Sequence, residues 1–282
     1  MRNYYCLVAG LPDITIDDTK LNYTIDQFYN EIKEDLHTDD LYLIKLYLLS
    51  VDNKNLLTYL QDKEAKLLPS ALFTSEDFDE LIRKVKEDEP ITDKSIPRYI
   101  ITFLREYLDE SKHNNNTSYS WENRITTLYY EQLCQTKNKF FNEWYSLNLN
   151  INNILSAFAA RKHGVDIESN IIGHNHVSQL LRKSGARDFG LSDELEYFSE
   201  ISKIAEDADL MERERRLDNF KWSWLDDNCF FHYFSIEPIL SFIIKLEMTQ
   251  RWLALDKVTG EQMFRRMISD LKKEVELPDE FK

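Results

Sequence analysis

The chain has 282 residues, 43% of them apolar, with 35 basic against 50 acidic side chains and a formal net charge of −15. That is enough apolar material for one large core or two smaller ones, and it excludes a disordered tail. The acidic excess repels phosphate backbones and anionic headgroups, which disfavours nucleic acid and direct lipid binding and favours a basic protein surface.

Six glycines and six prolines are about a third of ordinary usage. Hairpins, α/β crossovers and phosphate loops all draw on these residues, so their scarcity points to long helices joined by polar connectors. In chain order, Tyr4–Ala9 is compatible with either a short strand or a first helical turn. Thr24 with Gln27 forms a capping box ahead of Ile25, Phe28, Tyr29, Ile32 and Leu36. Thr38 is expected to cap a helix carrying Leu41, Ile44, Leu48 and Leu49, and Asp52 to start another with Leu56, Leu57 and Leu60. Ser75 introduces Phe78, Leu81, Ile82 and Val85, and Ser95 with Pro97 introduces Ile100, Phe103, Leu104, Tyr107 and Leu108.

The segment 111–120 is the most polar of the chain and is the place for a boundary or loop within an otherwise single all-helical domain, 1–282. From Trp121 to His163 apolar residues recur every three or four positions, ending at Gly164, which suits a C′ stop. Unbroken, that stretch makes a rod of about 64 Å. The alternative is two stacked helices, with Asn148, Asn150, Asn152 and Asn153 marking the break.

Beyond the connector 165–175, a short helix runs to Ser184-Gly185, and Ser192 is expected to cap Leu195, Phe198 and Ile201. The charge-rich span Asp209–Asp226 reads as a solvated face. Asp226-Asp227 then reads as a helix end followed by a buried aromatic cluster, and Trp222, Trp224 and Trp252 as core. Ser235 begins a helix to about Leu255, and Thr259 with Gln262 begins a last one, giving roughly ten helices in all.

Motifs of chemistry are sparse. The nearest glycine pair, Gly185 and Gly190, lacks both the GxGxxG and the GK[ST] pattern. His174 and His176 form an HxH pair without a third ligand at recognised spacing, so no metal site, cofactor or catalytic residue is assigned. An all-α enzyme using His174 or His232 is the remaining catalytic alternative. Cys6, Cys134 and Cys229 lack CxxC spacing and read as small buried hydrophobes. No secretory signal and no apolar run of bilayer length are legible, so the expectation is a cytoplasmic chain that reaches a membrane only through a partner.

The segment Glu237-Pro-Ile-Leu-Ser-Phe-Ile-Ile-Lys-Leu-Glu247-Met-Thr-Gln-Arg251 and onward to Met267 resembles the C-terminal signature of the C (or d) subunit of V-type and archaeal-type ATPases. Glu237, Pro238 and Glu247 match that pattern, while Thr249 stands where a second acid is usual and Ala254 where arginine is usual. Asn153-Ile-Leu-Ser-Ala-Phe-Ala-Ala-Arg161-Lys162 is similar to the family's asparagine-to-Arg-Lys helix, and the shared Ile-Leu-Ser step suggests pseudo-repeated units. The opening Tyr4–Asp13 and the whole-chain pattern resemble a bacterial family of undetermined function encoded beside V-type ATPase subunits.

What these resemblances imply is an all-α funnel or bundle, acting as a non-catalytic rotor adaptor that seats the central shaft on the membrane ring during ion transport. Shaft subunits and ring would be its protein partners, with Glu237, Glu247, Arg251 and Arg161 as candidate interface residues. It would be peripheral at the inner membrane through that complex. The alternative is a free-standing helical scaffold or regulatory protein-binding module.

Overall fold

The computed structural model describes residues 3–93, 96–113 and 120–255. Among these the chain is all-α, with eleven α-helices, one 3-10 turn at Glu168–Asn170 and no strand. In chain order the helices are α1 (Tyr5–Ala9), α2 (Ile25–Ile32), α3 (Thr38–Gln61), α4 (Ser75–Lys86), α5 (Arg98–His113), α6 (Trp121–Leu133), α7 (Lys139–His163), α8 (His176–Lys183), α9 (Phe198–Ala205), α10 (Leu210–Cys229) and α11 (Ile236–Ala254). The Ser95 cap and the helix from Thr259 lie outside the described residues.

Helix starts follow reciprocal chemistry. At α2 the Gln27 amide donates to Thr24 Oγ1 while the Thr24 amide donates to Gln27 Oε1, at 3.2 and 3.0 Å. At α4 the cap is Thr74 and not Ser75: three residues beyond Thr74 stands Asp77, which returns the hydrogen bond, whereas Ser75 would face Phe78. His37 precedes Thr38 as the cap of α3, its Nδ1 accepting from the Asp39 amide at 3.2 Å. Ser192 caps nothing; α9 starts at Phe198 after Tyr197, without a side-chain cap.

The chain divides into two compact units, residues 1–35 with 221–282 and residues 36–220, the second passage falling within α10. In the larger unit α6 packs on α3, α5 and α7, and α7 also on α8 and α9. Helices α3 and α7 carry buried residues around most of their circumference, which marks them as central elements. A tyrosine cluster joins them through α6. The Tyr129 hydroxyl lies 2.9 Å from the Leu46 carbonyl and 3.2 Å from the Tyr145 hydroxyl, and burial pushes both phenols upward.

Two sequence expectations give way to one device. Asp52 starts no helix; it lies buried within α3, and its carboxylate accepts the amides of Leu72 and Phe73 at 3.1 and 2.8 Å. One turn on, Asn55 accepts the Leu68 amide and donates to the Leu68 carbonyl. The connector between α3 and α4 therefore hangs from polar residues of a helix interior.

The same arrangement recurs on α7. Asn153 accepts from the Ile172 amide at 3.0 Å and donates to the Ile172 carbonyl at 2.8 Å, and Asn150 accepts from Asn175, the cap of α8. The long rod is thus overturned: the break between α6 and α7 falls at 134–138, not at the asparagines, which are interior to α7, where Asn150 and Asn153 tie the connector, Asn148 donates to the Trp144 carbonyl and Asn152 to the Tyr130 hydroxyl. Gly164 does end α7 with φ 66°. Gly173, at φ 71°, lets the connector pass so close that an added Cβ would meet Leu149 Cδ2 at 3.1 Å.

In the smaller unit α11 packs on α1 and α2. Its apolar residues, Ile239, Leu240, Ile243 and Leu246 among them, are almost fully buried. Phe242 stacks on Phe28 with centroids 4.8 Å apart. Thr249 Oγ1, toward the opposite end of α11, donates to the Thr15 carbonyl at 3.3 Å.

Candidate functional site

The feature of the smaller unit that its packing leaves over is the corner between α10 and α11. Helix α10 ends at Cys229, and α11 begins after Ser235. Between them run Phe230, Phe231, His232, Tyr233 and Phe234. Phe230, Phe231 and Tyr233 are 67%, 78% and 65% exposed. The aromatic cluster expected to be buried is therefore a surface feature. Its residues lie in the turn itself, off the helical spacing that aims Ile239 and Leu240 inward, and α11 fills its packing face with its own aliphatic residues.

Several contacts hold the corner in shape. The His232 amide donates to the Cys229 carbonyl at 2.8 Å, closing the turn. The Tyr4 amide donates to the Phe234 carbonyl at 2.5 Å, and the Tyr5 and Phe234 rings stack with centroids 4.6 Å apart. Phe230 and Phe231 stand edge to face at 5.0 Å. Below them the Glu237 carboxylate, 6% exposed as a residue, lies 3.6 Å from His232 Nδ1.

The acidic flank is built from the last turns of α10. Asp226 and Asp227 are exposed there, and no basic residue occupies the final turn, so the negative end of the helix dipole adds to their charge. Lys245 of α11 reaches Asp226 and lies 4.9 Å from the centre of the Trp222 ring. Cys229, half-buried, donates its thiol to the Glu237 carbonyl at 3.6 Å, and burial pushes that thiol up to about 11. Cys134 is likewise half-buried, whereas Cys6 is exposed, against the expectation for all three. Trp222, Trp224 and Trp252 are half-buried and not core.

The residues named as candidate interface fall in both units. Glu237, Glu247 and Arg251 share α11, with Glu237 buried at its start and the other two exposed one turn apart near its end. Desolvation raises the Glu247 carboxyl above its ordinary value and Arg251 opposes the shift; the exposure of the side chain argues for a small one. Arg161 belongs to the larger unit. It donates to the carbonyls of Arg187 and Ala186 at 2.8 and 2.9 Å, with its guanidinium 3.7 Å from the ring centre of Phe189. Phe189 is buried at φ 57°, so Arg161 braces a strained turn.

His174 and His176 turn to separate carboxylates, Glu131 at 3.8 Å and Glu194 at 3.6 Å. The described residues contain no group of three or more His, Cys, Asp or Glu placed to hold a metal ion. A cavity of about 30 Å³, lined by residues including Pro12, Asp18, Tyr23 and Phe242, has room for water and not for an organic ligand.

A sequence signal for the corner is present. Four aromatic residues within five consecutive positions satisfy neither helical nor strand spacing, which a purely buried assignment requires.

Over residues 1–275 the chain matches the family described as a protein of unknown function, DUF2764. The chain belongs to that family. No curated protein and no solved structure matches it. The family likeness thus extends over nearly the whole length, with both helical units and the aromatic corner inside it.

Proposed function

We propose that this member of the DUF2764 family is a non-catalytic adaptor of a V-type ATPase central stalk, joining the rotating shaft to the membrane ring. The observation that carries the reading is the exposed aromatic corner. An acidic, all-helical chain presents Phe230, Phe231 and Tyr233 to solvent immediately ahead of the helix that, from Glu237 onward, resembles the signature of the C (or d) subunit. Exposed clustered aromatic rings are the kind of side chain that dominates protein interfaces.

Load transmission requires elements that do not slide, and the helix-to-connector hydrogen bonds of Asp52, Asn55 and Asn153 supply such ties. No described helix is long and apolar enough to cross a membrane. In this reading the chain sits on the cytoplasmic side and reaches the ring through protein contacts, with Glu247 and Arg251 on exposed turns of α11. An acidic surface recruits basic shaft residues chiefly by accelerating encounter.

The test is to purify the host ATPase through an affinity tag on a catalytic subunit and to quantify this chain by mass spectrometry. A constant ratio to the shaft subunits is expected. Absence from the intact complex overturns the reading and leaves the free-standing scaffold or regulatory module.

A further inference from the structure

We infer that the corner at 230–234 inserts Phe230 and Phe231 into an apolar groove, rimmed by lysine and arginine, on a protein partner. The inference deepens the adaptor reading and rests on it for the partner's identity, though not for the partner's chemistry.

Exposure singles out the two rings. Phe230 and Phe231 are 67% and 78% exposed and carry no polar atom to engage water, unlike Tyr233. Their edge-to-face arrangement, with interplanar angle 90°, makes a wedge wider than one ring, which suits a groove. The backbone that carries the wedge is anchored on both sides, by the His232 amide closing the turn onto Cys229 and by Phe234, held by the Tyr4 amide and the Tyr5 ring. The backbone therefore needs little ordering on binding, which lowers the cost of seating an aromatic anchor.

Charge selects among occupants. Asp227, and Asp226 with its Lys245 partner, flank the wedge at the carbonyl end of α10, whose last turn has no basic residue, so the net negative charge there comes from Asp227 and the helix end. An anionic bilayer would meet this flank with repulsion, since interfacial binding draws on lysine and arginine beside the apolar residues. A second copy would bring the same acidic flank and the same net charge of −15. A protein groove edged with basic residues is complementary on both counts, apolar against the rings and positive against Asp227 and the helix end.

The experiment places benzoylphenylalanine at position 231 of the full chain in host cells, irradiates them, and maps the cross-linked peptides. Cross-links to apolar residues flanked by lysine or arginine on a shaft protein of the ATPase support both the inference and the adaptor reading. Cross-links to a groove of that chemistry on an unrelated protein sustain the inference and remove the ATPase assignment. Cross-links confined to lipid, to a second copy or to residues 256–282 of the same chain overturn the inference, as does the absence of any; co-purification with the ATPase then still decides the adaptor reading separately.

With the mapped partner purified, the F230S/F231S chain should keep its helical circular dichroism and bind roughly 30-fold or more weakly. D227N should flatten the loss of affinity with rising salt. Unaltered affinity in the first variant overturns the wedge, and unaltered salt dependence in the second overturns the basic rim.

Discussion

Asn153 occupies the middle of a 25-residue helix, where asparagine is a poor helix former because its side chain competes for backbone hydrogen bonds. It is stable there because the competition is won by another segment: both polar ends of its amide engage Ile172, and its nitrogen also reaches Ser178 Oγ at 3.1 Å. Replacement by alanine strands the part-buried Ile172 amide, while the Ile172 carbonyl keeps the Ser178 hydroxyl at 3.1 Å. N153A should lower the unfolding free energy by about 1–3 kcal/mol in urea titrations. N152A, at an exposed neighbour that only touches the Tyr130 hydroxyl, should change it by less than about 0.5 kcal/mol.

Asp52 poses the complementary case of a charge. Desolvation raises its carboxyl above the ordinary 3.8, and the Leu72 and Phe73 amides pull it back down. A native value above the unfolded one means that the folded state holds the proton more tightly. The contribution to stability is then largest below pH 3.8 and declines as pH rises through the native value. Denaturation midpoints of wild type and D52N, compared across acidic pH, should show wild type gaining on the variant as pH falls through that window. A constant difference would contradict the assignment. The polarity of both sites is legible in the sequence, but their partners stand 19 to 21 residues away, and nothing local announces them. On local signals alone, Asp52 therefore reads as a cap and the asparagines as a break.

At the scale of elements, what can be read is what is local. Thr24 with Gln27 specifies the start of α2, and Gly164 specifies the end of α7, because each signal is complete within a few residues. The division between α6 and α7 also has a local signal, since residues 134–138 read Cys-Gln-Thr-Lys-Asn and Asn138 caps α7 by accepting the Phe141 amide at 2.9 Å; the asparagines inside α7 mimic such a break and draw the reading away from it.

Two glycines allow the local and the tertiary contributions to be separated. Gly164 at φ 66° has no atom within 4 Å of an added Cβ, whereas Gly173 at φ 71° faces Leu149 at 3.1 Å. G164A should therefore cost about 1–2 kcal/mol, the backbone penalty alone. G173A should cost more, by roughly 1–3 kcal/mol of overpacking against α7. Thermal or urea unfolding of the two variants side by side measures the difference; equal losses would mean that the connector does not press on the helix.

For the molecule as a whole, composition is the most informative reading, since scarce glycine and proline and the helical spacing of apolar residues lead directly to an all-α chain. The aromatic corner escapes it because hydrophobicity does not equal burial, and the turn that exposes Phe230 and Phe231 depends on where α10 stops and α11 starts. Function follows from surfaces, and the candidate residues drawn from resemblance distribute accordingly: Arg161 braces the Phe189 turn while Glu247 and Arg251 remain exposed.

An adaptor between shaft and ring has one defining consequence, which is that hydrolysis and transport come apart without it. The decisive measurement is ATP hydrolysis and ion pumping in the same inverted membrane vesicles, prepared with and without this chain. Loss of pumping with hydrolysis retained is the predicted result. Pumping per ATP unchanged by deletion would contradict the account.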